Sequence, residues 1–379
     1  MKKVAAILLA GVILAGCAAV AAAGTDQTLV PLSYFTGTYY PDVVKQAETR
    51  VETATEKVYQ TALAALNAKH SANLGQTGGT GSASGSLADQ RVKRGDAITL
   101  NTGAGVMLLA GQAVVSYSSG AVVDVTAGQT AASGTALSAN HRYLAAENTS
   151  AVVSITSDTA VISLEGSYLL SPSGETDYNA LADALKAMGM FKGGDTGYGS
   201  GYDLERAPTR IEGLIMFLRL LGEEQTALAY TGACPFGDVP AWAQRYAAYA
   251  YDKGYTKGVG TDGAGKLVFG TQNTITASEY VTFVLRALGY SDSGSAPDFT
   301  WNTALTKGLE TGVLTAGEYK LLTEKTFLRA QVVYLSYFAL SAQMKDGSGT
   351  LLDALAATGS VDRTAVSAVM SGVTVARLS

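Results

Sequence analysis

The chain has 379 residues, of which 47% are hydrophobic and 16% are charged, and its formal net charge is −5. At roughly 100–200 residues per domain, this length predicts two to three domains. The acidic balance argues against a nucleic-acid-binding protein, which needs a basic surface to neutralise phosphates. Two cysteines and two histidines, His70 and His141, argue against a disulfide framework and a histidine-rich metal site. We therefore expect no cofactor and no metal, and the composition points away from an enzyme.

The N-terminus has the features of an export signal. Lys2-Lys3 precedes an apolar run at residues 4–14. Because a membrane span needs about 20 apolar residues, this shorter run predicts a signal peptide over residues 1–23. The run ends in Leu14-Ala15-Gly16-Cys17, which resembles the lipobox of bacterial lipoproteins, and the resemblance implies a lipidated Cys17 that anchors the protein to a membrane. The alternative is cleavage after Ala21-Ala22-Ala23, with Cys17 discarded.

A helical segment follows at residues 24–74. Within residues 41–72, apolar side chains recur at spacings of three and four, which places them on one face of a helix. These positions are Val44, Ala47, Val51, Ala54, Val58 and Ala62. The thin stripe fits packing either on the rest of the protein or on a partner helix. Residues 75–87 are rich in glycine and serine and predict a flexible linker.

Residues 88–172 change to short β-branched runs, such as Ala151-Val152-Val153-Ser154-Ile155, with turn residues between them. Short strands at intervals of about 8–12 residues are typical of all-β sandwiches and barrels. The pattern predicts a small all-β domain, and we take a roll or sandwich as the expected form. One polar-aromatic cluster, Asn140-His141-Arg142-Tyr143, fits either a ligand site or an exposed strand end.

An internal repeat occupies residues 176–345. Thr209-Arg210-Ile211-Glu212 aligns with Thr276-Ala277-Ser278-Glu279 at an offset of 67 residues, and Leu328-Arg329-Ala330-Gln331 is a more degenerate third match. A threonine followed by a glutamate three residues later predicts a capping box at the start of a helix. The motif and capping candidates are therefore Thr209, Glu212, Thr276, Glu279 and Gln331. The three copies cover residues 176–224, 234–291 and 297–342.

The middle copy resembles an S-layer homology (SLH) repeat, whose pattern is F-x-D-V…W-A, G-x-x-x-G, F and I-T-R-A-E. The matching residues are Phe236-Gly237-Asp238-Val239-Pro240-Ala241-Trp242-Ala243, Gly254, Gly258, Phe269, Ile275-Thr276 and Glu279. Ala277 departs from the pattern, because the family has an arginine at that position. The expected fold class is multidomain α+β, in which the small all-β roll or sandwich precedes an all-α SLH pseudo-trimer of helical repeats. Residues 346–379 are expected to form a helical tail.

The resemblance implies non-covalent binding to secondary cell-wall polysaccharide, often pyruvylated, in grooves between repeats, with the motif arginine reaching an acidic sugar. The glycan-binding candidates carried over from it are Arg210, Arg329, Lys192, Lys257, Trp242 and Trp301. The two tryptophans fit either sugar platforms or the core. An arginine at a helix N-terminus adds a bidentate donor to the positive end of the helix dipole, which suits a carboxylate.

We therefore predict an exported protein of the cell envelope that binds acidic wall polysaccharide, with a membrane as a second partner if Cys17 is lipidated. One alternative is an envelope enzyme or ligand-binding protein that acts through the β domain and uses the repeats for targeting. Another is that the repeats keep the fold alone and the lipid anchor localises the protein. Nucleotide-binding and hydrolase motifs are not found in a supporting sequence context.

Overall fold

The chain divides into two compact units, Met1–Thr80 and Gly81–Ser379. The computed structural model describes residues 32–77, 82–193 and 201–379. Cys17 and the predicted signal peptide lie outside these residues. Across the described ranges, no helix combines the length and the apolar character that crossing a bilayer requires.

The described part of the first unit, residues 32–77, is helical. Short helical turns at Leu32–Tyr34 and Phe35–Tyr39 lead into α1 (Tyr40–Thr77). On the predicted apolar stripe Ala47 is buried, whereas Val58 is 69% exposed. The stripe is therefore largely accessible within this unit.

The second unit begins with a ten-stranded antiparallel sheet in the order β6-β5-β8-β3-β10-β2-β9-β4-β7, with β1 added on β10. Residues 82–87 of the predicted linker belong to β1, because backbone pairing with β10 needs no large side chains. The strands are β1 (Ser82–Lys93), β2 (Ala97–Leu100), β3 (Gly105–Ala110), β4 (Ala113–Tyr117), β5 (Val122–Asp124), β6 (Gln129–Ala131), β7 (Thr135–Ala136), β8 (Arg142–Ala145), β9 (Ala151–Ile155) and β10 (Thr159–Ser171).

Strand β10 holds the sheet together, because it pairs with three other strands. It pairs with β1 over most of its length, with β3 over residues 161–165 and with β2 over residues 168–171. Gly166 lies between the last two segments with φ +76°, and a Cβ there would lie 2.8 Å from Ala104 Cα. Glycine permits this backbone conformation and this close approach. One face of the sheet encloses its own apolar core, which includes Ile98, Leu108 and Ile162.

The helical region follows the sheet in the same unit. A two-stranded hairpin, β11 (Gly260–Thr261) with β12 (Leu267–Val268), lies within it. A short 3-10 turn at Ala241–Ala243 precedes the helix Gln244–Asp252, and another at Trp301–Thr303 precedes the helix Ala304–Glu310. The helices are α2 (Tyr178–Ala187), α3 (Arg210–Leu220), α4 (Glu224–Ala229), α5 (Gln244–Asp252), α6 (Ala277–Ala287), α7 (Ala304–Glu310), α8 (Ala316–Glu324), α9 (Arg329–Ala339), α10 (Leu351–Ala357) and α11 (Arg363–Ser371).

The second helix of each copy contacts the first helix of the next copy, in a cyclic order. These second helices are α3, α6 and α9. Helix α3 packs against α5, α6 against α7, and α9 against α2. Two neighbouring helix starts are also joined by backbone hydrogen bonds: Arg210 N donates to Asn273 O at 2.7 Å, and Arg329 N donates to Arg206 O at 2.9 Å. Amides that have no acceptor within their own helix are thus satisfied by the next copy.

The expected fold class, a multidomain chain with a small β roll or sandwich followed by an all-α pseudo-trimer, is wrong. The strands form one sheet that nearly closes into a barrel, and this sheet shares a compact unit with the helices. Arg91 forms a bidentate ion pair with Asp183 of α2 at 2.9 and 3.0 Å. The hairpin β11–β12 also means that the repeats are not purely helical. Alternating apolar runs identify strands, but they do not specify how strands distant in sequence pair.

We predict that Gly166→Ala destabilises the protein by about 1–3 kcal/mol, because the new Cβ collides with backbone at a positive φ. Urea unfolding monitored by circular dichroism measures this. Gly128→Ala is the matched control, since Gly128 also has a positive φ (+68°) but nothing within 4 Å of its Cβ position. An equal loss in both variants would show that the close approach to Ala104 is unimportant.

Candidate functional site

The starts of α3 and α6 carry capping boxes. Thr209 N donates to Glu212 Oε2 at 2.7 Å, and Thr276 N donates to Glu279 Oε2 at 2.8 Å. In each box the threonine hydroxyl accepts from the glutamate backbone N–H. In the third copy, where leucine replaces threonine, Leu328 N still donates to Gln331 Oε1 at 2.9 Å. The motif residues therefore define three equivalent helix starts.

Two of these helix starts place a buried arginine at the first helical position. Arg210 is 6% exposed and Arg329 is 5% exposed. Arg210 Nη1 lies 2.7 Å from Glu279 Oε1, and its guanidinium lies over the rings of Phe269 and Phe283, 5.3 and 5.5 Å from their centroids. Its Nε is buried without a hydrogen-bond partner among the described residues. This arginine is therefore fixed in place but retains an unused donor.

Arg329 has longer ion pairs. The distances from its guanidinium nitrogens to Asp203 Oδ2 and Glu212 Oε1 are both 3.9 Å. Its Nε is also buried and has no hydrogen-bond partner within the described part of the chain. Burial lowers the pKa of Arg210 and Arg329, although the neighbouring carboxylates oppose the shift. Arginine nevertheless stays charged at physiological pH, so both sites present a buried positive charge.

These pairs follow the cyclic order of the copies. We call the pairing of Arg210 with Glu279 the 1–2 contact and that of Arg329 with Glu212 the 3–1 contact. The corresponding positions of the 2–3 contact are Ala277 and Gln331, so the cation and the anion are both replaced by neutral residues. The three contacts are therefore equivalent in position but different in charge.

Both tryptophans lie outside the core. Trp242 is 61% exposed and Trp301 is 63% exposed. Each lies in the 3-10 turn before the first helix of its copy, and Trp301 O accepts a hydrogen bond from Ser278 Oγ at 2.9 Å, at the start of α6. Helix α3 packs against α5, so Trp242 directly precedes the helix of the second copy that contacts α3.

Lys192 and Lys257 do not lie beside Arg210 or Arg329. Lys192 pairs with Glu224 at 2.6 Å, and Glu224 also pairs with Arg219 in the last turn of α3. In the second copy Lys257 pairs with Asp292 at 2.7 Å, and Asp292 also pairs with Arg286. These triads lie at the C-terminal ends of α3 and α6, about 16 Å from the N-terminal ends at 1.5 Å per residue.

Several charged residues at the helix starts were missed by sequence reasoning. Arg206 donates from Nη1 to Glu212 Oε2 at 2.8 Å, and Lys325 occupies the equivalent place before α9. Arg206 lies six residues before Glu212, and Lys325 lies six residues before Gln331. This shared spacing is the signal that could have identified the two cations. Asp158, from the sheet, hydrogen-bonds to Gln331. Among the described residues, no group of three or more His, Cys, Asp or Glu side chains is placed to hold a metal ion.

Protein-family models and curated proteins were compared with this chain. No protein-family model matches it, and a search of curated proteins finds no significant match. The resemblance to SLH repeats therefore remains a prediction from the motif residues.

We predict that Glu212→Gln weakens the pH dependence of stability. Burial raises the pKa of Glu212, but hydrogen bonds from Arg206 and Thr209 outweigh burial and lower it from 4.5 to about 2. A carboxylate with a lowered folded pKa stabilises the protein above pH 4.5, and this contribution disappears as the pH falls through 2. The unfolding free energies of the wild type and the variant should therefore differ at pH 7 and converge between about pH 4.5 and 2.

Urea denaturation across this pH range is the measurement. Gln331 shows that a glutamine at this motif position still accepts the cap hydrogen bond, so the variant is expected to fold. Glu310→Gln, which changes a 60% exposed carboxylate, is the control. A constant difference between wild type and Glu212→Gln from pH 7 to pH 2 would contradict the assignment.

Proposed function

We propose that this is an exported cell-envelope protein whose three helical repeats bind acidic wall polysaccharide without a covalent bond. One observation carries the proposal: Arg210 and Arg329 are buried at helix N-termini, and each has an Nε that lacks a hydrogen-bond partner among the described residues. An incompletely paired buried charge is costly, and a ligand carboxylate that reaches it would offset that cost. Sugars that carry a carboxylate, such as pyruvylated ones, fit this requirement.

The charge of the helix start adds to that of the arginine. The helix dipole favours an anion at the helix N-terminus, and a guanidinium can hold a carboxylate through two parallel hydrogen bonds. The motif residues that resemble SLH repeats place Arg210 and Arg329 at this position in two copies. We therefore assign acidic glycan recognition to the 1–2 and 3–1 contacts.

The 1–2 contact is the stronger candidate of the two. It combines Arg210 with the exposed indole of Trp242, whereas Asp177, the N-cap of α2, takes the tryptophan position in the first copy. An exposed aromatic ring provides a flat apolar surface for the C–H face of a sugar, and the arginine provides the charge. We propose the 1–2 contact as the principal binding groove.

Lipidation of Cys17 would add a second attachment, to a membrane. In that case two attachments on one chain would retain it in the envelope more strongly than either attachment alone. The Cys17→Ser variant separates them, because any wall binding that it retains is due to the repeats.

A second candidate function rests on the sheet. His141 Nδ1 lies 2.8 Å from Asp124 Oδ2, so a histidine does stand beside an acid in the sheet. Burial raises the pKa of Asp124, but hydrogen bonds from His141 and the Ala127 amide outweigh burial and lower this pKa overall. Such a pair could hold a ligand or orient His141 as a base. Release of soluble fragments from purified walls by the wild type, but not by His141→Ala, would favour an enzyme, and no release would exclude one acting on these walls.

We predict that Trp242→Ala, in a Cys17→Ser background, lowers the apparent affinity for purified walls about tenfold or more. The exposed indole can be removed without opening the core. Tyr251→Ala is the matched control, because Tyr251 is a 42% exposed aromatic residue on α5. Co-sedimentation with walls, before and after chemical removal of their polysaccharide, is the measurement. Equal binding to stripped and intact walls would contradict the proposed function.

Arg210→Lys provides an independent test of the charge. Lysine keeps the positive charge that faces Glu279 but lacks the Nε donor and the planar fork of arginine. We expect wall binding to fall at least as far as in Trp242→Ala, while circular dichroism still shows a folded protein. Unchanged binding by this variant would remove Arg210 from the site.

A further inference from the structure

Besides the Arg91–Asp183 pair, the sheet contacts the helical repeats through a buried carboxylate, that of Asp158. This residue lies in the turn between β9 and β10, and its side chain is 10% exposed. Its Oδ1 accepts from Arg94 Nε at 2.9 Å, and its Oδ2 accepts from Gln331 Nε2 at 3.0 Å. Lys325 Nζ lies 3.5 Å from Oδ1. Asp158 therefore links a cation of the sheet with two residues at the start of α9.

The equivalent place in the first copy shows what Asp158 replaces. There the cation Arg206 pairs with Glu212, the acid of its own capping box, at 2.5 Å. In the third copy the cation is Lys325, but the capping residue is the neutral Gln331. The carboxylate next to Lys325 comes instead from the sheet, more than 160 residues earlier in the chain.

We infer that the start of α9 is a docking site for the ten-stranded sheet, in which Asp158 takes the place of the motif carboxylate. Gln331 makes this possible, because its Oε1 keeps the helix cap while its Nε2 is free to donate to Asp158. A glutamate at this position would keep the cap but would place a second negative charge against Asp158. The third helix start is thus one of the points at which the sheet is fixed to the repeats, together with the Arg91–Asp183 pair. The inference is independent of any glycan.

The assignment also explains the neutral 2–3 contact. In the other two contacts a motif arginine faces a motif glutamate. In the 2–3 contact the corresponding residues are Ala277 and Gln331, so a glutamate in place of Gln331 would find no cation at position 277. An acid at position 331 would therefore lie against Asp158 and share Lys325 with it, without the arginine partner that Glu279 finds in Arg210. The loss of charge at Ala277 and at Gln331 is consistent with a contact used for internal docking.

The test is a charge exchange in the full-length chain. Gln331→Glu should loosen the sheet, so that backbone amides of residues 155–160 exchange hydrogen about tenfold faster or more. Amides of α3 should be unaffected, which separates undocking from general destabilisation. Asp158→Asn combined with Gln331→Glu should restore slow exchange, because an asparagine amide can donate to the new carboxylate.

Glu279→Gln is the matched control, since it changes one charge at the equivalent position of α6, away from Asp158. It should leave exchange at residues 155–160 unchanged. Wild-type exchange in Gln331→Glu would overturn the inference. So would failure of the double variant to restore protection, because the loosening would then not arise from repulsion between these two side chains.

Discussion

The arrangement of the repeats depends on how three helix N-termini are satisfied where they meet. Each helix start has N–H groups without acceptors in its own helix. Capping boxes at Thr209 and Thr276 satisfy some of them, and the backbone of a neighbouring copy accepts from Arg210 and Arg329. Because the donors of one copy need the acceptors of the next, the copies stabilise one another.

The three contacts share this geometry but differ in their side chains. The 1–2 and 3–1 contacts have a buried arginine against a glutamate, whereas the 2–3 contact has neutral residues at both positions. The glutamates have two roles, since Glu279 caps its own helix and also pairs with Arg210 at 2.7 Å. Where the acid is replaced by Gln331, the cap remains and the electrostatic role passes to Asp158 of the sheet. The three copies thus have the same backbone arrangement at their helix starts, while single residue differences change the partner of each side chain.

Local signals predicted local structure well. The three-residue spacing of Thr209 and Glu212 identified a helix start and its cap, because both partners lie within one turn. The same reasoning could not place Lys192, which looked like a ligand residue but pairs with Glu224 at the other end of α3. It also could not decide whether Trp242 is buried, since its pattern fits both surface and core. The prediction of the sheet's form was wrong for a related reason. Strands β1 and β10 pair across about 75 residues of sequence, and no short-range sequence pattern specifies their register.

If the repeats bind an acidic polymer, as we propose, the net charge of −5 restricts how they can do so. At long range the two repel each other, and salt screens that repulsion over about 8 Å at physiological ionic strength. Attraction has to come from cations in direct contact, where a low local dielectric strengthens it. Arg210, held over Phe269 and Phe283, meets this condition. Lys192 and Lys257 do not, because their charges are already compensated by acids of their own copies. Binding by an acidic protein therefore depends less on the number of its cations than on their burial and incomplete pairing.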